Sequence, residues 1–225
     1  MQFENKPQIG DGIYTVPDLA KILNLKYYKV QRLLSEYWDN RLAGNFIRSY
    51  SWSDGKSKAV NFHTLVEFYT YFHFREAGVT TKVILNAHKE LSKMFKTPFP
   101  FATAGVLEGL ASVGKRIVFQ FSESQIINID MTKQLNLKFI KDFMNKLDFN
   151  KGELANRLWP LGKNHSVVVD PDHQFGQPTI YGTNIIPYTI YHMVKANEPV
   201  DFIASTYGIS KKQIKDAITF CKQAA

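Results

Sequence analysis

Apolar residues recur at helical spacing near both ends of the chain, and the two stretches match. Val16, Leu19, Ala20, Leu25, Val30 and Leu34 carry the first pattern. Val200, Ile203, Ala204, Ile209, Ile214 and Ile218 carry the second, each 184 positions later. Helical recurrence with one apolar residue plugging a short turn predicts a helix-turn-helix in each stretch. Thr15, with Asp18 three residues on and Pro17 in the first turn, signals the start of the first helix. Ala20 is small, so a second helix can cross close to it. In the later copy Gly208 falls in the turn and Ser210 stands as the N-cap of the last helix.

The pattern between the copies changes period several times. Residues 45–52 and 58–62 are aromatic and β-branched and flank Ser53-Asp54-Gly55-Lys56, a hairpin signal. Residues 63–76 form an apolar, aromatic helix, with Leu65, Phe68, Phe72 and Phe74 facing a core or another subunit. Gly78 breaks it, and Thr80 or Thr81 caps a helix to about Phe95. Residues 116–121 and 125–130 suggest a second hairpin, and 136–147 an amphipathic helix. Residues 167–169 read as a short strand. A loop dense in glycine and proline follows, from Asp170 to Pro187, then a helix around Ile190, Met193 and Val194. The expected fold is mainly α with small β hairpins. Its parts are a DNA-binding domain at 1–96, a connecting α+β segment at 97–165, and a three-helix domain at 166–225.

Two resemblances sharpen this. The order of helix-turn-helix, basic hairpin and helix pair, with Phe74-Arg75-Glu76-Ala77-Gly78-Val79 between the last two helices, resembles the MerR-like winged-helix family. The chain departs from classical members because its fourth helix stops before Pro98-Phe99-Pro100, leaving no long dimerising coiled coil. The run from Gly176 to Pro187, G-x-P-x-I-x-G-T-x-I-x-P, resembles a small bacterial domain of VapB-type antitoxins, whose partners are PIN-like toxins. That family usually has arginine after the Gly-Thr pair; here Asn184 stands there. Together the resemblances imply a VapB-type antitoxin with a MerR-like winged helix at its N-terminus.

Charge and candidate chemistry agree. Lys and Arg total 28 against 20 Asp and Glu, a formal charge of +8, the footprint expected of a phosphate-backbone binder. The second helix of the first copy presents Lys26, Tyr28, Lys29, Gln31 and Arg32 on its outer face. A recognition helix needs such hydrogen-bonding and cationic side chains over an apolar underside. Arg48, Lys56 and Lys58 lie on the hairpin, placed as a wing to meet phosphates. Lys211, Lys212, Gln213 and Lys215 decorate the last helix, for DNA or for a partner protein. The six histidines show no zinc spacing, and Asp170 and Asp172 around Pro171 read as turn-forming rather than catalytic. His88 reads as a surface or half-buried residue. Neither a catalytic group, a metal nor a cofactor is expected. The single Cys221 forms no internal disulfide, no apolar run approaches a membrane span, and the N-terminus lacks a signal-peptide layout, so a cytoplasmic protein is expected. The expected function is a homodimeric DNA-binding antitoxin that represses its own operon at an operator in double-stranded DNA and neutralises a PIN-like ribonuclease. The alternative is a ligand-responsive MerR-like regulator with no toxin partner.

Overall fold

The structure is a computed structural model, and it describes residues 10–42, 51–53, 58–107, 117–121, 125–129, 143, 145–151 and 154–223. It is mainly helical, with small antiparallel strand pairs. The chain divides into two compact units. One holds Met1–Gln31, Ser51–Phe62 and Asn156–Ala225; the other holds Arg32–Tyr50 and His63–Ala155.

The first unit begins with strand β1 (Tyr14–Thr15), which runs straight into helix α1 (Val16–Ile22). Thr15 caps α1: its hydroxyl accepts from the Asp18 amide, and its own amide donates to Asp18 Oδ2 at 3.0 Å. Helix α2 (Tyr27–Arg32) follows a turn in which Leu25 N donates to Ala20 O at 2.8 Å. Strands β2 (Ser51–Ser53) and β3 (Lys58–Val60) pair antiparallel, and β3 also pairs β1, with Tyr14 opposite Val60. The predicted wing is thus joined to the strand that precedes the first helix. Its turn and residues 45–50 lie outside the described residues. Phe62 is helical rather than part of the strand run.

The second unit is built on helices α3 (Phe62–Glu76, entering at His63) and α4 (Thr81–Phe95). Between them Gly78 is left-handed at φ +89°, Val79 N donates to Phe74 O, and Arg75 Nη1 donates to Val79 O at 2.6 Å. This gives the Phe-Arg-Glu-Ala-Gly-Val phrase a mechanical reason: glycine turns the chain and arginine ties the turn shut. Residues Leu33–Arg41 wind as a π-helix, which the apolar spacing did not predict. Its Trp38 is buried edge-on against Phe68, Tyr71 and His88. His88 corrects the expectation of a surface or half-buried residue: it is fully buried and paired with Glu67, whose other oxygen accepts from Phe101 N at 2.7 Å. Ser92 Oγ lies 3.4 Å from His88 Nδ1, and all three side chains sit inside the core, so the Ser–His–Glu chain braces α3 and α4.

Strands β4 (Ile117–Phe121) and β5 (Gln125–Ile129) form the second expected hairpin. The helix expected over 136–147 lies largely outside the described residues. Its last position does not follow the expectation, because Leu147 opens strand β6 (Leu147–Phe149).

The C-terminal part of the first unit starts with β7 (Ala155–Leu158, from Asn156 onward), bridged to Val169. Strands β8 (Val167–Val168) and β9 (Thr179–Ile180) pair antiparallel. Helices α5 (Pro187–Lys195), α6 (Val200–Tyr207) and α7 (Lys211–Gln223) enclose Ile180, Ile190, Ile203, Ile209, Ile214 and Ala217. This module has a core of its own.

Candidate nucleic-acid interface

The repeat seen in the apolar pattern is real in the backbone. Leu25 N donates to Ala20 O, and 184 residues later Ile209 N donates to Ala204 O at 3.1 Å. The residue before each donor is left-handed: Asn24 at φ 53° and Gly208 at φ 63°. Asparagine and glycine are the residues that enter this conformation at least cost. The copies differ at their first position. Val16 is buried, whereas Val200 is 39% exposed.

In the first copy, Val30 is fully buried beneath α2. Above it Lys26, Tyr28 and Lys29 face solvent, and Gln31 is half-buried. Tyr28 is 60% exposed, and Tyr27 beside it 55%. Tyr27 was not among the sequence candidates; its place at the first helical residue was the available signal. Two large exposed aromatics among lysines suit a surface that packs on sugar and base edges while cations meet phosphate. Arg32 is exposed and its Nε binds Glu36 Oε2 at 2.9 Å. That bond raises the guanidinium's pKa further through the hydrogen bond and charge of Glu36. Lys58 is half-buried in β3; Arg48 and Lys56 lie outside the described residues.

In the second copy the polar side chains are tied within the module. Lys211 Nζ pairs with Asp201 at 2.5 Å. Gln213 closes a capping box with Ser210, whose amide donates to Gln213 Oε1 at 2.8 Å. Lys212 Nζ donates to Asn164 O at 2.7 Å and to Asp216 Oδ2 at 2.8 Å. Asp216 also takes Ser166 N and Oγ and lies 2.9 Å from His165 Nδ1. Burial pushes its carboxyl upward, but the bonds from Lys212, His165 and Ser166 outweigh this and hold it at about 2. Lys215 is exposed.

The Gly-Pro loop of this module borders a polar cleft of about 220 Å³. Arg157 Nε binds Asp170 Oδ2 across it at 2.6 Å, and His173 Nε2 lies 3.1 Å from Thr183 O. Asp172 N donates to Asp170 Oδ1, the turn role the Asp-Pro-Asp sequence predicts. Arg157 was not a sequence candidate, since it lies on another strand and nothing near it marks it. Among the described residues, no group of His, Cys, Asp and Glu is arranged to hold a metal ion, and no helix is long and apolar enough to cross a membrane.

Residues 167–221 match the family described as "Protein of unknown function (DUF433)". Within 57 residues the chain is 42% identical to "Uncharacterized protein Rv2308" of Mycobacterium tuberculosis, covering 25% of this chain and 24% of that protein. It therefore spans about a quarter of that relative. Over 177 residues it is 22% identical to "Putative antitoxin VapB45" of the same organism, covering 73% of this chain and 72% of that one. The crystal structure of Rv2018 from M. tuberculosis shares the fold, with a TM-score of 0.63 at 19% identity, over 91% of this chain and 96% of that one. The chain is thus distantly similar to a putative antitoxin, and the segment that matches DUF433 contains the polar cleft from Val168 onward, the second helix-turn-helix and Asp216. Asn184, where the resemblance leads one to expect arginine, lines the same cleft as Arg157 and Asp170.

Proposed function

We propose that this chain is a DNA-binding antitoxin of a type II toxin–antitoxin system. In this reading a homodimer represses its own operon through α1 and α2, with Lys26, Tyr28, Lys29, Gln31 and Arg32 at the groove and Arg48, Lys56 and Lys58 on flanking phosphates. The DUF433 segment then meets a PIN-like ribonuclease toxin, and the protein is a regulator, not an enzyme. The observation that carries the reading is the similarity to a putative antitoxin, 22% identical over 177 residues and 73% of this chain. The internal pairing of Lys211, Lys212 and Gln213 favours protein contact over DNA contact for the second copy.

The test has two arms. The purified chain is titrated onto its own upstream DNA, and it is co-expressed with the product of the neighbouring gene. Operator binding plus co-purification and relief of growth arrest are expected. Operator binding without a toxin neighbour turns the reading to the ligand-responsive regulator. No DNA binding at physiological salt overturns both.

A further inference from the structure

The DUF433 segment grips the strand that leads into the first helix. Tyr14, the residue before the N-cap of α1, is completely buried. The hydroxyl end of its ring lies against two left-handed glycines, Gly12 at φ +67° and Gly176 at φ +83°. A Cβ on Gly176 would sit 2.1 Å from the Tyr14 hydroxyl oxygen, and one on Gly12 would sit 2.7 Å from ring atom Cε2. Only glycine fits at both places, because any side chain would overlap the ring and the backbone is in the region L-residues avoid. The adjoining Ile13 N donates to Phe175 O at 3.1 Å. Further along α1, Lys21 Nζ lies 5.6 Å from the centroid of the Tyr188 ring. Ile22 shares a small cleft there with Pro178, Ile186 and Phe220.

These contacts matter for what α1 does. Helix α1 carries Ala20, whose carbonyl accepts the turn bond from Leu25 just before α2. The position of the Lys26–Lys29 turn therefore follows from the position of α1. Among the described residues the Tyr14 hydroxyl has no hydrogen-bond partner, although it is fully buried. Burying a hydroxyl without a partner is costly, so this tight fit is kept at a penalty to stability.

We propose that Gly176 and the loop around it are positioning elements of the DNA reader. They clamp Tyr14 and so set α1 and the start of α2, and operator affinity depends on a residue of the DUF433 segment. This rests on the DNA-reading proposal above.

The test uses the full chain and a double-mutant cycle. Gly176→Ala adds both backbone strain and the clash with Tyr14. Gly162→Ala adds strain alone, since Gly162 is left-handed at φ +95° with nothing among the described residues within 4 Å of its Cβ position. Operator affinity, read by fluorescence anisotropy at one salt concentration, should fall about tenfold for Gly176→Ala relative to Gly162→Ala, as the binding-competent arrangement becomes a minor population. The new Cβ also comes within 2.7 Å of Tyr14 Cζ, so Tyr14→Phe, which removes only the oxygen at 2.1 Å, should restore part of that loss. Equal affinities for the two alanine variants, or a loss that Tyr14→Phe does not relieve, overturn the proposal while leaving DNA reading intact. A wild-type chain that binds no operator overturns the DNA reading, and this proposal with it. Where Gly176→Ala does not fold, native-state hydrogen exchange on the wild-type chain decides. The amides of Ile13, Leu23 and Leu25 should open together with those of Ile203 and Ile214. Exchange of the first group far ahead of the second overturns the clamp.

Discussion

Asp216 and Glu67 are buried acidic residues, one in each unit, each held by hydrogen-bond partners. Asp216 is 4% exposed, and its carboxyl is held at about 2 against an ordinary 3.8. A depressed carboxyl pKa adds stability that is complete above the unfolded-state value. It is lost as pH falls through the folded-state value, here from about 4 down to about 2. The shift corresponds to about 2 kcal/mol at neutral pH. Asp216→Asn should therefore lower urea stability by about that amount at pH 7 and flatten the acid limb of the stability–pH curve; an unchanged acid limb would show that the cluster with Lys212 and Ser166 is not formed in solution. Glu67 works in the other unit. Its carboxyl group joins His88 and the Phe101 amide inside the core. Glu67→Ala leaves a cavity, takes the acceptor from the buried Phe101 amide and leaves His88 with Ser92 alone, and should cost about 3–5 kcal/mol in denaturant unfolding. A loss below about 1 kcal/mol would mean that water enters to replace it.

At the scale of elements, the turn shared by the two helix-turn-helix copies separates backbone cost from packing. Among the described residues nothing lies within 4 Å of the Gly208 Cβ position, so Gly208→Ala tests the left-handed conformation alone. It should lower stability by about 1–2 kcal/mol. Gly208→Asn should cost clearly less, because asparagine occupies the same place at Asn24; equal costs would show that side-chain identity does not matter there. Such local features were legible in the sequence. The Thr15–Asp18 cap, the Ser210 cap, the Gly78 break and the extents of α1, α4 and β4–β5 all follow from residues within a few positions of one another. What was not legible depends on distant partners. Leu147 leaves the helical pattern for a strand. Residues 33–41 take a π-helical winding with Trp38 inside a cage of α3 and α4 side chains. His88 reads as a polar helix residue until Glu67, 21 positions away, meets it. The candidate site was partly legible: exposed Lys26, Tyr28 and Lys29 over buried Val30 follow from helical phase, whereas Arg157 and the Tyr14–Gly176 clamp join residues no local pattern connects.

At the scale of the whole molecule, the proposed DNA reading raises the question of which of two similar modules would use the formal charge of +8. Exposed lysines that meet phosphate release counterions, and each contributes about 0.9 to the slope of log affinity against log salt concentration. Lys26 and Lys29 are exposed at the start of α2, next to two solvent-facing tyrosines. Lys211 is already paired with Asp201. Its release from that carboxylate would offset much of what it gains from a phosphate. Lys26→Gln with Lys29→Gln should therefore reduce the slope for operator binding by nearly two. Lys211→Gln with Lys215→Gln should leave it within experimental error. Lys212 is left out because its replacement would also disturb Asp216 and so mix stability with binding. The opposite result, a flat response to the first pair and a loss of slope with the second, would assign DNA reading to the DUF433 segment. A reduction with both pairs would mean that the two copies lie on the same duplex.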